Sequence, residues 1–292
     1  MPKSLFIAPT EIDSGLTSIC LGLLRALDRV GVRVGFYKPV SQPGRSGNRT
    51  TPGEDFSVSF VRARSDLNPP EPMPLREAQN LLNREKTAEF MQSIVGQFQA
   101  VAKDVDVVIV EGLVPDRSEA YTARLNVEMA RNLGADVILV CAPGQRTAKE
   151  LDEWLDFSAR LFAAPEDPDV IGVVLNKVGE PERSGFLPAN NEPTADQVPD
   201  YSTECRIFSE GRLRVLASIP WQPDLLAPRM SDVARDLPAS VLHEGDIDNR
   251  RVQKISVCAR TIPNMIETLR PGTLLVTPGD REDILVAAAV AA

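Results

Sequence analysis

Apolar runs of strand length alternate with segments of helical periodicity over the first three-quarters of this chain. The helical segments lie at 15–29, within 75–103, at 118–132 and at 147–162, and the apolar runs lie at 4–8, 32–37, 105–110, 135–142, 169–175 and 213–219. The runs are nearly continuous in Val, Ile and Leu, which is typical of strands that are buried on both faces. Strands that alternate with helices form right-handed βαβ units. The pattern therefore predicts an α/β fold with a doubly wound, mostly parallel sheet.

Two polar segments interrupt this alternation. Residues 41–60 are rich in Gly, Ser, Thr and Pro, and residues 179–204 are polar and rich in proline. Neither segment has enough apolar side chains to bury itself, so both are predicted to be long loops. The first loop leaves the carboxyl end of the second predicted strand, where doubly wound sheets bind their ligands. It is either a lid over that crevice or a plain surface insertion.

The pattern changes after residue 223, which predicts one domain over 1–223 and a second, smaller α/β domain over 224–292. In the second domain we expect strands at 253–258 and 273–277 and helices at 226–237, 263–269 and 280–292. The sequence stops within the last helical pattern, on Val-Ala-Ala-Ala-Val-Ala-Ala, with no glycine cap and no following strand. We therefore expect this second domain to be incomplete.

The turn after the first predicted strand is similar to a nucleotide-binding phosphate loop, GxxxxGK[ST], over Thr10–Thr17. In a working loop the backbone N–H groups surround the phosphates, the lysine neutralises their charge, and the Ser or Thr hydroxyl ligates magnesium. Here Gly15 and Thr17 fit the pattern, whereas Thr10 replaces the first glycine and Leu16 replaces the lysine. The loop keeps the turn and the hydroxyl and has lost its cation.

Two acidic residues make this loop still less suited to a nucleotide. Glu11 and Asp13 place carboxylates close to where a triphosphate would lie. Without a lysine, they disfavour the nucleotide by on the order of one to a few kcal/mol if they are partly desolvated. The helix N-terminus still leaves a weaker anion site open. The alternative is that Gly15 only forms the turn and Thr17 only caps or packs the helix.

Three further residues follow other predicted strands at the same edge of the sheet. Lys38 follows the second strand, and it either partly replaces the missing loop lysine or is a solvated strand-end residue. Glu111 follows the third strand, and it either faces a magnesium ion or caps the next helix. Asn176 follows the fifth strand, and it either holds a purine ring or belongs to a loop turn.

Composition and charge restrict the classes of partner. The net charge of -9 and the pI near 4.9 argue against nucleic-acid and anionic-membrane surfaces. The four cysteines are widely spaced and there is one histidine, His243, so the sequence predicts neither a metal site nor a disulfide framework. We read the cysteines as buried thiols in a reducing cytosol. The protein is expected to be cytoplasmic, because the N-terminal apolar run is too short for a secretory signal and no apolar run approaches the length of a membrane span. His243 is interpreted as a structural residue.

A series of segments, in order along the chain, resembles the N-terminal part of the long form of phosphate acetyltransferase. These segments include FIAPTEIDSGLTSICLGLLRAL, VRVGFYKPVSQP, VVIVEGLVPDR, GVVLNKV, SIPWQPDLLAPRMSDVARDL, EGDIDNRRVQKISVCARTIPNM and GTLLVTPGDREDILVAA. The resemblance implies a dethiobiotin-synthetase-like domain of the P-loop NTPase type, followed by a DRTGG-type domain and then by the acetyl-transferring domain. In that family Leu commonly stands in place of the loop lysine, as Leu16 does here.

The resemblance also implies the reaction of the full-length family, in which acetyl-CoA and phosphate exchange with acetyl phosphate and CoA. The catalytic residues of that family belong to its C-terminal domain, so no catalytic residue is carried over to this chain. For this portion it implies a regulatory and assembly role, with self-association into a homo-oligomer, a small metabolite as effector, and no cofactor. The alternatives are an ATP-dependent ligase of the dethiobiotin-synthetase type, with Thr17, Lys38 and Glu111 around Mg-ATP, and a purely structural docking module.

Overall fold

The computed structural model describes most of the chain, namely residues 2–42, 55–115, 121–164, 169–181, 199–237, 239–266 and 269–291. The strands are β1 (Lys3–Pro9), β2 (Val34–Tyr37), β3 (Val40–Ser41), β4 (Met73–Pro74), β5 (Val107–Glu111), β6 (Asp136–Cys141), β7 (Val170–Val178), β8 (Val215–Pro220), β9 (Lys254–Val257) and β10 (Thr273–Val276). The helices are α1 (Leu16–Arg29), α2 (Phe56–Arg64), α3 (Leu75–Asn83), α4 (Thr87–Val101), α5 (Tyr121–Asn132), α6 (Ala148–Arg160), α7 (Tyr201–Glu204), α8 (Arg206–Ser209), α9 (Pro223–Leu226), α10 (Met230–Asp236) and α11 (Glu282–Ala291).

The chain divides into two compact units. The first unit comprises residues 1–179 and 195–220, and the second comprises residues 180–194 and 221–292. The first unit contains a six-stranded sheet in the order β2-β5-β1-β6-β7-β8, and every pairing in it is parallel. The predicted α/β fold with a doubly wound parallel sheet is therefore confirmed.

Both faces of this sheet are buried along β2, β5, β1, β6 and β7, as the apolar runs predict, whereas the edge strand β8 is mostly exposed and the prediction that it is buried on both faces is wrong. Along β1, Phe6 and Ala8 face one hydrophobic cluster, and Ile7, between them, faces the other. The cluster on one face contains the apolar side of α1, including Ile19 and Leu24. The opposite cluster contains apolar residues of α4, α5 and α6. Because side chains of a strand alternate between faces, a strand covered on both sides must be apolar throughout.

The strand order places the predicted ligand crevice at the end of β1. After β1 the chain passes through α1 to β2 at one edge of the sheet, returns through β5, and then continues with β6 on the other side of β1. The topological switch therefore lies at β1, whose carboxyl end leads into the loop at Thr10–Thr17. Crevices at such switch points are where open α/β sheets bind ligands.

The structure corrects the prediction that residues 41–60 form one long loop. Val40–Ser41 form β3, which pairs in parallel with β4, and α2 begins at Phe56. Sequence reasoning missed this helix because Val58 and Val61, its buried apolar residues, are few and stand among polar ones. Residues 43–54, which form most of the predicted loop, lie outside the described residues. Residues 182–198 of the second predicted loop also lie outside them, and α7 occupies the end of that loop.

The second unit contains a small parallel sheet of β9 and β10. Its buried apolar cluster consists of Cys258, Met265 and Ile284. Both strands lie within the predicted ranges, and α11 lies within the predicted helix at 280–292, whose last residue is outside the described part.

Two of the helix predictions for the second unit are wrong. The predicted helix at 263–269 is a single 3-10 turn at Ile262–Asn264, and residues 267–268 lie outside the described part. The predicted helix at 226–237 starts too early: α9 ends at Leu226, α10 begins only at Met230, and Pro228 lies between them. Proline lacks the backbone N–H that a continuous helix requires. Among the described residues, no helix is long and apolar enough to cross a membrane.

Candidate functional site

The loop between β1 and α1 turns sharply at Gly15. Gly15 lies in the left-handed region, at φ +83°, and it is the N-cap residue of α1, with no capping side chain. Thr17 therefore does not cap the helix. The end of β7 holds the loop: Asn176 Nδ2 donates to the Ser14 carbonyl and Lys177 Nζ donates to the Asp13 carbonyl, both at 2.8 Å. Asn176 lies within β7, and its amide stabilises the loop backbone.

Leu16, at the position of the missing lysine, is a core residue. Its side chain is buried in the cluster that also contains Ile7, Ile19 and Ile109. The first turn of α1 thus directs an apolar side chain towards the sheet. No cationic group reaches the crevice from this position.

Glu11 is paired with a cation that the sequence analysis did not identify. Its Oε2 lies 2.6 Å from Arg146 Nη2, and its Oε1 accepts a hydrogen bond from the Ala142 backbone N–H at 2.7 Å. Arg146 also donates to the Ala142 carbonyl and stacks on the ring of Trp154, with 5.1 Å from Cζ to the ring centroid. Glu11 therefore joins the loop to the end of β6, and its charge is compensated by Arg146. Asp13 is exposed.

A buried ionic group occupies the crevice beside this loop. Lys38 Nζ lies 3.0 Å from Asp55 Oδ2, 3.1 Å from Glu111 Oε1 and 3.1 Å from Ser57 Oγ. Lys38, Asp55, Ser57 and Glu111 are all buried, and we call these four residues the Lys38 cluster. Burial alone would lower the pKa of Lys38, but the carboxylates of Glu111 and Asp55 outweigh burial and raise it above its ordinary value. The ammonium therefore stays charged near neutral pH.

Thr17 joins the Lys38 cluster from the first turn of α1. Its Oγ1 donates to Glu111 Oε1 at 3.2 Å and lies 3.2 Å from Ser57 Oγ, which itself donates to Glu111 Oε1 at 2.8 Å. Asp55 is the N-cap of α2, and its Oδ1 accepts hydrogen bonds from the Ser57 and Val58 backbone N–H groups. The cluster thus connects β2, α2, β5 and α1.

Three partners at this site were not predicted from the sequence, namely Asp55, Ser57 and Arg146. Asp55 could have been found, because an Asp directly before an apolar segment is a helix N-cap signal. Arg146 carries no such signal, since its partner Glu11 is 135 positions away along the chain.

The remaining candidates add no reactive group. His243 is exposed and lies in the second unit. In the described ranges, no group of three or more His, Cys, Asp and Glu side chains is arranged to hold a metal ion. All four cysteines are free and buried, and burial raises the pKa of the Cys20 thiol, beside Glu111, well above its ordinary value. The crevice therefore presents side chains that are already paired with one another.

The fold and the loop define this chain as an α/β protein of the P-loop NTPase type whose phosphate loop has lost its lysine. Comparison with protein families agrees: residues 3–229 match the AAA domain family and residues 232–292 match the DRTGG domain. Since the first match covers most of the chain, the chain belongs to the AAA domain family, and a DRTGG domain follows.

Curated relatives named phosphate acetyltransferase match this chain almost from end to end. The protein of Pseudomonas aeruginosa is 45% identical over 98% of this chain and 40% of its own length. Those of Salmonella typhimurium and Escherichia coli are each 36% identical over 100% of this chain and 41% of their own length. The predicted resemblance to phosphate acetyltransferases is confirmed. The chain spans about 40% of the length of these relatives.

Solved structures with similar folds are more distant. The McdA–ATP complex of Cyanothece covers 83% of this chain and 98% of its own chain, with 14% identity and a TM-score of 0.45. The septum site-determining protein MinD of Pyrococcus horikoshii, complexed with Mg-ADP, covers 77% and 84%, with 13% identity and a TM-score of 0.42. At this level of similarity no property of those proteins is transferred to this chain.

Proposed function

We propose that this chain is a regulatory and oligomerising region of a phosphate acetyltransferase. The support is the match of the whole chain to about 40% of the length of enzymes with that name, with the AAA and DRTGG domains in series. The reaction, acetyl transfer between CoA and phosphate, is assigned to the part of those relatives that these 292 residues do not match. The chain acts without a cofactor of its own, and its place is the cytoplasm.

The Lys38 cluster is the observation that carries the noncatalytic part of this proposal. An enzyme of the P-loop class needs a cation free to contact phosphate and a hydroxyl free to contact magnesium. Lys38 instead contacts two carboxylates and a hydroxyl, and Thr17 contacts Glu111 and Ser57. The groups that an ATP-dependent ligase would use are therefore bound to each other.

Self-association is supported by exposed apolar side chains of the second unit. The exposed fractions are 97% for Leu242, 75% for Val257 and 84% for Val290. Burying apolar side chains such as these in an interface removes them from water, which favours association. We propose that a second copy of the chain covers these side chains.

A small anionic metabolite is the proposed effector. The second unit contains a pocket of about 600 Å³ whose lining includes Arg250, Arg251, Asn249 and Gln253. The lining also includes Asp224, and Arg251 Nη1 donates to the Ala227 carbonyl at 2.9 Å. Arginine side chains suit a carboxylate or phosphate, because arginine binds such groups through paired hydrogen bonds.

One preparation of the purified chain tests this proposal through three readouts. We expect no turnover of acetyl-CoA with phosphate, an oligomeric mass by light scattering, and calorimetric binding of small anions that Arg250→Ala weakens. The full-length Pseudomonas aeruginosa relative serves as the positive control for turnover. Measurable turnover by the chain alone would refute the noncatalytic assignment, and a monomeric mass at every concentration would refute the assembly role.

A further inference from the structure

We propose that the Lys38 ammonium is a built-in cation, which occupies a cation position formed by Asp55, Ser57 and Glu111 and takes the place of a bound metal ion. The inference concerns what holds the crevice together, and it does not depend on the identity of the enzyme to which the chain belongs.

The coordination of the ammonium supports this proposal. A lysine ammonium has three N–H donors and no acceptor. Lys38 Nζ has three oxygen atoms at 3.0–3.1 Å, one each from Asp55, Glu111 and Ser57. Its hydrogen-bonding capacity is therefore fully used within the chain. Carboxylate and hydroxyl oxygens are also the ligands that hard divalent cations prefer.

The position of the ammonium relative to the loop supports it as well. In a phosphate loop the hydroxyl at the position of Thr17 ligates magnesium. Here that hydroxyl donates to Glu111 and lies beside Ser57, so it faces the same oxygens that surround the ammonium. The residues as arranged do not fit a metal-bound nucleotide, because the cation of Lys38 already lies among the oxygens that would face the metal.

The formal charge of the cluster explains why a cation is required. Two carboxylates and one ammonium give a formal charge of -1, and each of these side chains is at least 89% buried. Glu111 Oε2 is also buried without a hydrogen-bond partner in the described part of the chain. Removing the ammonium would leave two carboxylates facing each other, which is a favourable environment for a divalent cation that retains several waters.

The test compares wild type, Lys38→Ala and a matched control, Lys3→Ala, with and without Mg²⁺ or Mn²⁺. Lys3 pairs with Asp136 at 2.9 Å on the surface, so the control removes a lysine–carboxylate pair without opening a buried space. We expect Mg²⁺ to raise the melting temperature of Lys38→Ala by about 5 °C or more at about 100 times its Kd. Wild type and Lys3→Ala should not respond, and Mn²⁺ should give a bound paramagnetic resonance signal with Lys38→Ala alone.

The same shift in all three proteins, or none in Lys38→Ala, would overturn the proposal. If Lys38→Ala does not fold without metal, refolding in Mn²⁺ decides the matter through helical circular dichroism. Recovery of the native spectrum supports the built-in cation, and failure to recover contradicts it. The double variant Lys38→Ala/Glu111→Gln has one carboxylate fewer, so it should fold without metal and bind Mn²⁺ at least about tenfold more weakly than Lys38→Ala.

Discussion

Replacing Lys38 with methionine is expected to lower the free energy of unfolding by about 3–5 kcal/mol, because it removes one partner of a buried ionic group. Methionine fills a similar volume but leaves Asp55 and Glu111 buried without their shared cation. Burial of like charges without compensation is among the most destabilising changes in a protein interior. Urea unfolding in metal-free buffer, followed by circular dichroism, measures the effect.

Glu111→Gln is the control for this prediction. It keeps an oxygen that can accept hydrogen bonds from Thr17 and Ser57, and it leaves Lys38 paired with Asp55. We therefore expect a loss well below that of Lys38→Met, and a double variant that is less destabilised than the sum of the two single variants. Equal losses for the two single variants would show that the charge balance of the cluster is not what stabilises it.

The same cluster has a defined pH dependence. The pKa of Lys38 is raised in the folded protein, with burial opposing the shift and the two carboxylates causing it. Its contribution to stability is therefore fully present below the ordinary lysine value of 10.5, and it is lost as the pH rises through the raised folded-state value. The stability difference between wild type and Lys38→Met should accordingly be constant near neutral pH and shrink in strongly alkaline solution.

Gly15→Ala is expected to cost about 2–4 kcal/mol, from backbone strain and a lost buried hydrogen bond. Gly15 has φ +83°, where an L side chain is strained, and an added Cβ would lie 2.3 Å from Asn176 Nδ2. Asn176 would have to move and give up its bond to the Ser14 carbonyl. Thermal unfolding of the variant measures the loss.

Gly22→Ala is the matched control in the same helix. Gly22 lies on the exposed side of α1, and an added Cβ would meet nothing within 4 Å, so alanine should stabilise the helix by about 0.5–1 kcal/mol. In an Asn176→Ala background, Gly15→Ala should lose only the strain of the left-handed backbone. If Gly15→Ala were as stable as Gly22→Ala, that result would contradict the tight turn at Gly15 and its contact with Asn176.

The sequence predicted the sheet well because five of its six strands, all but β8 at the edge, are buried on both faces and are therefore largely apolar. It also placed Thr17, Lys38 and Glu111 at one edge of the sheet, where Thr17 and Lys38 both contact the Glu111 carboxylate. It could not predict that Lys38 pairs with Asp55 and Glu111, because those contacts join positions separated by 17 and 73 residues. Hydrophobic periodicity says where strands end and not which polar side chains meet there.

The charge of Glu11 has a partner that sequence spacing also could not reveal. From the sequence, Glu11 is expected to be an uncompensated charge near the loop, but in the structure Arg146 Nη2 lies 2.6 Å from its Oε2. The loss of nucleotide-binding groups therefore rests on Leu16, which is in the core, and on Lys38, which is bound to carboxylates. Asp13 remains exposed, and repulsion from it alone is weak in water.

Calorimetric titration of the wild-type chain with Mg-ATP tests the central claim most directly. That claim is that charged side chains of the chain itself occupy the crevice. We predict no binding heat that Lys38→Ala removes, up to millimolar nucleotide, because Lys38 and Thr17 are engaged within the Lys38 cluster. Submillimolar binding that disappears in Lys38→Ala would contradict this claim, since it would show that the ammonium is available to phosphate.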